Sequence, residues 1–342
     1  MVITDDDWGI AESMCKEFDS MNLESIRIGF ECGIRDPSVQ QEHGRTVYRA
    51  DPAIPEHIEW VCSQLQAKSI GGLFHLAPMK LASETLLDDS VPSTQIALSA
   101  HGWFGVLKGL GHALSNEACV VSVTSMDGRH GNHDERFNAI QCAASGVTKS
   151  YAFERTDLRC RALDIHPELM LEAQLAAQHI IADVTKLGGE VEIGLDRDLR
   201  RWTLVAFAEN VVDEPTVLSN QDTFIVSGGG SGVTAASVVG LANASQGSGA
   251  HFILLGRSTL IEETKDWLEW SEEQLNERKM ALREVLMSQQ ESGKVTMVEW
   301  NNAWQKFTRS MDVYRTIAEI AKSGNSAEYQ AMDVTDIEAL EA

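Results

Sequence analysis

The sequence predicts an α/β fold made of two doubly wound parallel-sheet units in tandem, and three observations carry that prediction. Short β-branched runs alternate with amphipathic segments from the first residue onward, the pattern of strands joined by crossover helices. The alternation then repeats: "AEYQAMDVTDIEAL" (327–340) matches "RTVYRADPAIPEHIEWV" (45–61), with Tyr329 to Asp333 echoing Tyr48 to Asp51. Between them "FIVSGGGSGVTAA" (224–236) runs an apolar strand into a glycine cluster and then into residues that start a helix. Repetition of a whole strand–helix–strand block indicates duplication of a Rossmann-like unit, not a solenoid.

In the first copy, "MVIT", "GIAESMCKEF", "SIRIGF", "TVYRADP", "EHIEWVCSQLQ" and "GGLFHLAP" read as strand, helix, strand, strand, helix and strand. "WFGVLKGLGHALS" continues as a helix, "CVVSVTS" as a buried strand, "ERFNAIQCAASGVTKSYAFE" (135–154) as one long helix and "LRCRALDI" as the next strand. After the helix "AQLAAQHIIADVTKL", the segment "EVEIGLDRDLRRWTLVAF" reads as two strands around the turn Asp196-Arg197-Asp198, closing the unit near residue 208. The polar stretch 209–222 is the linker candidate, which divides the chain into domains 1–217 and 218–342. In the second copy "TFIVS" is a strand, "VTAASVVGLANAS" a helix and "AHFILLG" a strand. A helical insertion at about 260–323 follows, with Trp267, Trp270, Leu275, Leu282 and Leu286 at helical spacing as candidate buried positions. The plain expectation is that it packs against the neighbouring domain; a tryptophan-lined ligand site is the alternative.

Composition narrows the function classes. The 342 residues, 43% of them hydrophobic, suffice for a large core and two domains. With 51 acidic against 28 basic side chains the net charge of −23 repels nucleic acid and anionic membrane. Cys15, Cys32, Cys62, Cys119, Cys142 and Cys160 form no CxxC pair, which favours reduced thiols and a cytoplasmic setting. Nothing reads as a signal peptide or as an apolar span of about 20 residues.

A diphosphate bound at a strand-to-helix turn needs backbone N–H groups aimed at it with no side chain in the way. Gly228, Gly229, Gly230 and Gly232 provide that, and Ser227 and Ser231 add hydroxyl donors; a purely structural turn is the competing reading. The following strand ends in Arg257, where an NAD site would usually carry an acid, and a guanidinium suits the 2′-phosphate of NADP(H). An arginine merely paired at the surface is the rival there. Asp333 closes the third strand, placed to accept from an adenine amino group or, more simply, to cap a helix. Val233, Ser258 and Val334 complete the cofactor-binding set. At the matching turn of the first copy stand Asp5, Asp6 and Asp7, whose carboxylates repel a diphosphate. That copy is expected to bind no dinucleotide, and consecutive aspartates in a turn diverge too much for a metal.

At "FNAIQCAASGVTKSYAFE" the first copy resembles the active-site helix of short-chain dehydrogenases/reductases, whose tail commonly reads much like "GLTKSLALE". In that family a tyrosine, and a lysine four residues later, begin this helix, with a serine about a dozen residues upstream. Here the serine position is Ser125, but the tyrosine position holds Phe137 and the lysine position Gln141. Phenylalanine has no proton to give to a carbonyl-derived alkoxide. A decayed reductase unit followed by one with an intact glycine loop resembles the ketoreductase of modular polyketide synthases and of bacterial polyunsaturated fatty acid synthases, in which a structural subdomain precedes a catalytic one. "CRALDI", "EVEIGLDRD" and "FILLGRS" followed by a long helical insertion look like the polyunsaturated fatty acid branch, and the resemblance covers essentially the whole chain. It implies NADPH-dependent reduction of a 3-oxoacyl group to a 3-hydroxyacyl group on an acyl carrier protein, with other synthase domains of the same polypeptide as partners.

Two departures qualify it. The family's TGxxxGxG pattern falls on Ser227, Gly228, Gly232 and Thr234, so a threonine replaces the last glycine. The first copy runs 86 residues from Asp51 to Phe137, and the same interval counted from Asp333 passes well beyond Ala342. No tyrosine has a lysine four positions on: Tyr48, Tyr151, Tyr314 and Tyr329 are followed there by Pro52, Arg155, Ala318 and Asp333. The expectation is therefore a piece of a longer polypeptide with no catalytic residue of its own, leaving an unpaired strand edge and bare apolar surface near 224–256. The alternative is a pseudo-reductase that serves a multienzyme as a non-catalytic scaffold.

The remaining constellations read as structural. His130 and His133 beside Asp134 lack a second ligand cluster for a metal. Cys142 falls in an apolar helix pattern and is expected in the core. His75, at a strand's carboxyl end, reads as a hydrogen-bonded structural histidine, and Lys149 and Tyr151 lie too far along their helix for the family's roles.

Overall fold

The computed structural model describes residues 1–82, 93–132, 137–185, 189–209, 218–289 and 294–341. It divides into two compact units, Met1–Ala208 and Glu209–Ala342. The first unit contains β1 (Val2–Thr4), α1 (Ile10–Ser20), β2 (Ile26–Phe30), β3 (Ser38–Glu42), β4 (Arg45–Ala50), α2 (Pro55–Leu65), β5 (Ile70–His75), α3 (Ser93–Ile96), α4 (Gly102–Leu110) and β6 (Leu114–Thr124). It continues with α5 (Cys142–Glu154), β7 (Arg159–Ile165), α6 (Pro167–Met170), α7 (Ala173–Thr185), β8 (Glu192–Leu195) and β9 (Arg201–Trp202). The sheet order is β3-β4-β2-β1-β5-β6-β7-β8-β9. Every pairing from β4 to β8 is parallel and both edge pairings are antiparallel.

Parallel strands buried on both faces need apolar residues on both, and the sheet has a core on each side. Ile3, Phe74, Val121, Leu163 and Ile193 pack with α1 and α7 on one face. Ile28, Leu73, Val120 and Cys160 pack with α2 and with Trp103 and Leu107 of α4 on the other. Each fully buried aliphatic side chain contributes about 1.5–3 kcal/mol.

The second unit contains β10 (Thr223–Ser227), α8 (Gly232–Ala244), β11 (His251–Gly256), α9 (Glu272–Gln289), α10 (Met297–Lys322), β12 (Ser326–Ala331) and α11 (Ile337–Glu341). Its strands form a parallel sheet ordered β10-β11-β12, the same neighbour order as β1, β2 and β4. The core joins Val238 and Ala242 of α8 to Phe252 and Leu254 of β11 and Ile320 of α10. β10 pairs only with β11 among the described strands, and Ile225 is 71% exposed.

Several expectations change. The helix expected over 135–154 begins at Cys142: Asn138 accepts from Ile140 N at 3.0 Å, and a 3-10 turn, Ala139–Gln141, leads into it. Residues 133–136, with His133 and Asp134, lie outside the described residues. β3 went unseen because an edge strand with little burial carries no apolar alternation; its sequence is SVQQE. Of the expected second strand around Asp196, only Arg201–Trp202 pairs with β8. In the insertion Trp267 is buried, whereas α9, which carries Leu275, Leu282 and Leu286, has no fully buried residue. α10 is the crossover between β11 and β12 and packs on α8 and β12 of its own unit. No described helix is long and apolar enough to cross a membrane.

Candidate functional site

The glycine loop stands where β10 ends and α8 begins. Gly228 and Gly232 have φ of +71° and +69°, conformations that cost an L side chain strain, and a Cβ added at either would meet nothing within 4 Å. Gly229 and Gly230 answer a different need. A Cβ at Gly229 would lie 2.9 Å from Leu254 Cδ2, and one at Gly230 would lie 2.6 Å from Val313 Cγ2, so the buried pair is glycine for room. Gly228 N donates to Leu255 O at 2.8 Å, tying the loop to β11. Ser231 occupies the N-cap of α8 in extended conformation, its side chain makes no capping bond, and the first turn carries no acidic residue. The positive end of α8 is therefore left without an internal anion.

Around this corner Ser227 and Val233 are exposed, Val233 by 85%. Arg257 and Ser258 follow β11 and are exposed, as are Asp333 and Val334 after β12. Asp333 Oδ1 accepts from Thr335 N at 3.0 Å and Thr335 Oγ1 at 2.8 Å. Those bonds hold its carboxyl below the usual carboxylate range, with a smaller pull from Arg257. The structure thus brings Arg257 and Asp333 into electrostatic range at one end of the three-stranded sheet.

The matching corner of the first unit is closed from within. Asp6 Oδ1 accepts from Trp8 N at 2.6 Å and Ile10 N at 3.1 Å, while Oδ2 accepts from Ala11 N at 2.6 Å. Its carboxylate thus occupies the amides that a phosphate would need. Asp5 is engaged by Arg27 through Nε at 2.6 Å and Nη2 at 2.8 Å, and Arg27 Nη1 also reaches Glu12 at 3.2 Å. Burial pushes the Asp5 carboxyl up in spite of that partner. Asp7 pairs with Lys80 at 3.2 Å. Repulsion was the sequence argument against a dinucleotide here; the capping role of Asp6 adds direct occupation.

At the reductase-like active-site position, the Gln141 side chain clamps Ser125, accepting from Ser125 N at 2.8 Å and donating to Ser125 O at 3.1 Å. Ser125 Oγ is buried with no partner. The Phe137 ring lies against Gly131, where a Cβ would come within 2.5 Å of its Cζ. Gln141 and Ser125 therefore meet, while Phe137 stands against Gly131; an amide and a phenyl ring hold positions where a proton relay would need an ammonium and a phenol. Asp164 supports the same loop, accepting from Thr124 Oγ1 at 2.9 Å, Met126 N at 2.8 Å and His130 N at 3.0 Å.

His75 is fully buried between Thr4 Oγ1 at 3.1 Å and Ser99 O at 3.2 Å, stacked on Trp103 at 4.9 Å. Burial lowers its pKa to about 3, so it stays neutral. Cys142 is not core: the helix starts there, the residue is exposed, and its thiol, 3.1 Å from Met126 Sδ, is pushed up by burial of the sulfur. Lys149 is held by Glu192 at 2.8 Å. No group of three His, Cys, Asp or Glu side chains suited to a metal occurs among the described residues.

No protein-family model matches the chain, and no curated protein matches it in sequence. Solved structures do match in shape. An adenylation, ketoreductase and pseudo-Asub multidomain structure of a keto acid-selecting NRPS module superposes on 99% of this chain at TM-score 0.60 and 14% identity, with 24% of that chain covered. An N-terminal ketoreductase from the macrolactin assembly line matches 99% of this chain at TM-score 0.59 and 13% identity, with 55% of that chain covered. An A1-type ketoreductase matches 87% at TM-score 0.51 and 15% identity, with half of that chain covered. The chain spans about a quarter and about half the length of the first two. Identities this low speak for the fold: these 342 residues have the α/β fold seen in the ketoreductases of such assembly lines.

Proposed function

We propose that the chain is part of a ketoreductase module of a polyketide or polyunsaturated fatty acid synthase, acting in the cytoplasm. Its second unit would bind NADPH for reduction of a 3-oxoacyl group on an acyl carrier protein. The observation that carries this reading is the contrast between two equivalent strand-to-helix corners. In one, Asp6 fills the helix N-terminus; in the other, four glycines and an uncapped Ser231 leave the first-turn amides of α8 to an outside anion.

The residues fit the cofactor. Ser227, Gly228, Gly229, Gly230, Ser231, Gly232 and Val233 would cradle the diphosphate, Arg257 and Ser258 the 2′-phosphate, and Asp333 with Val334 the adenine. NADPH, when bound, supplies the hydride. On this reading the first unit is structural, and no tyrosine of residues 1–342 is assigned as the proton donor. Phe137, Gln141 and the lack of a Tyr-x-x-x-Lys in these residues favour a second reading, a non-catalytic scaffold within a multienzyme.

Fluorescence titration with NADPH and NADH tests the first reading. Saturable binding of NADPH, at least about tenfold tighter than NADH given the worth of a charge-assisted phosphate pair, is the expected outcome. Equal binding of the two removes the role of Arg257, and absence of both leaves the scaffold.

A further inference from the structure

Tyr329 is not among the residues assigned to the cofactor, yet it touches both halves of the candidate cradle. It sits on β12 opposite Leu254 of β11. Its ring leans over the carboxyl end of β11: a Cβ on Gly256 would lie 2.7 Å from Tyr329 Oη and 3.2 Å from Cε2, so the glycine at 256 is what admits the ring. The hydroxyl donates to Ser258 O at 2.7 Å. The ring edge also approaches the glycine loop, where a Cβ on Gly230 would lie 3.6 Å from Tyr329 Cε2. One side chain thus links the diphosphate loop to the turn that bears Arg257.

We propose that Tyr329 is a positioning residue for recognition of the 2′-phosphate of NADPH, acting by holding the Arg257–Ser258 backbone in register with the glycine loop. This rests on the cofactor reading above. Arg257 is exposed and its long side chain loses rotamer freedom on binding. A backbone already fixed beneath it lowers that loss. The bond from Tyr329 ends on the carbonyl of the next residue, so it sets where the guanidinium starts without touching the cofactor itself.

The experiment compares the wild-type chain with Tyr329→Phe and Gly256→Ala, titrating NADPH, NADH, 2′,5′-ADP and 5′-AMP and recording the urea midpoint of each protein. Tyr329→Phe removes only the hydroxyl; Gly256→Ala keeps it but displaces the ring. Both variants are expected to bind NADPH and 2′,5′-ADP about three- to tenfold more weakly, with NADH and 5′-AMP affinities unchanged and a lowered urea midpoint that still leaves each protein folded under the titration conditions. An equal loss for phosphorylated and unphosphorylated ligands, or no loss, overturns the positioning role while leaving NADPH binding in place. A wild-type chain that binds no NADPH overturns the cofactor reading, and this role with it.

Discussion

Asp164 carries a cost that depends on pH. The side chain is fully buried, and burial pushes its pKa up to about 6 from an ordinary 3.8, against the pull of the Met126 and His130 amides and the Thr124 hydroxyl. A carboxyl whose folded pKa is raised binds its proton more tightly when folded. Its contribution is therefore fullest below about pH 4 and is lost as pH rises through about 6. Urea unfolding of the wild-type chain and of Asp164→Asn from pH 4 to 8 reads this term together with that of Asp127, whose charge also raises the Asp164 carboxyl. Wild-type stability should fall relative to the variant between pH 4 and 6.5 and then level off. A difference independent of pH excludes this account. The neighbouring Gln141 shows what single residues disclosed beforehand: its position argued against a proton relay, but its clamp on both main-chain groups of Ser125 needs a fold to be seen.

Two helices that open at equivalent corners differ in who supplies the anion. Asp6 accepts from the first two amides of α1, Ile10 N and Ala11 N, and from Trp8 N just before it, whereas α8 follows a glycine loop whose serine makes no side-chain cap. Asp6→Ala leaves those amides to water and should cost about 1–2 kcal/mol, read as a lower urea midpoint of the first unit, with no change in nicotinamide cofactor affinity. A gain of NADPH binding with Asp6→Ala would mean that the aspartate was masking a second site. The glycine loop, the alternation of strands and helices and the repeat were legible because each depends on local chemistry: glycines at a strand-to-helix turn, short apolar runs, crossover helices. The start of α5 at Cys142 was not, since the apolar period of 135–154 runs through it; only the Asn138 bond to Ile140 and the turn before Cys142 stop the helix there. β3 was missed for want of a buried face. The insertion kept its helices, and one of them, α10, crosses from β11 to β12 within its own unit.

Two units with separate cores imply two unfolding events, and a chain of this kind is not described by one transition. The contrast between an open and an occupied helix corner therefore has a direct thermal test. A ligand that binds only one native unit stabilises that unit by about 2.7 kcal/mol at a hundredfold excess over Kd. In a unit of this size that is a shift on the order of 10 °C. Scanning calorimetry with and without NADPH should move one transition and leave the other, and the one left should be the one that Asp6→Ala lowers. The open edge of β10, with Ile225 at 71% exposure, makes the second unit prone to associate once heated, so the scan is best repeated at several protein concentrations. If NADPH raised the transition that Asp6→Ala lowers, the cofactor would sit against the aspartates. The uncapped end of α8 would then have no part in its binding.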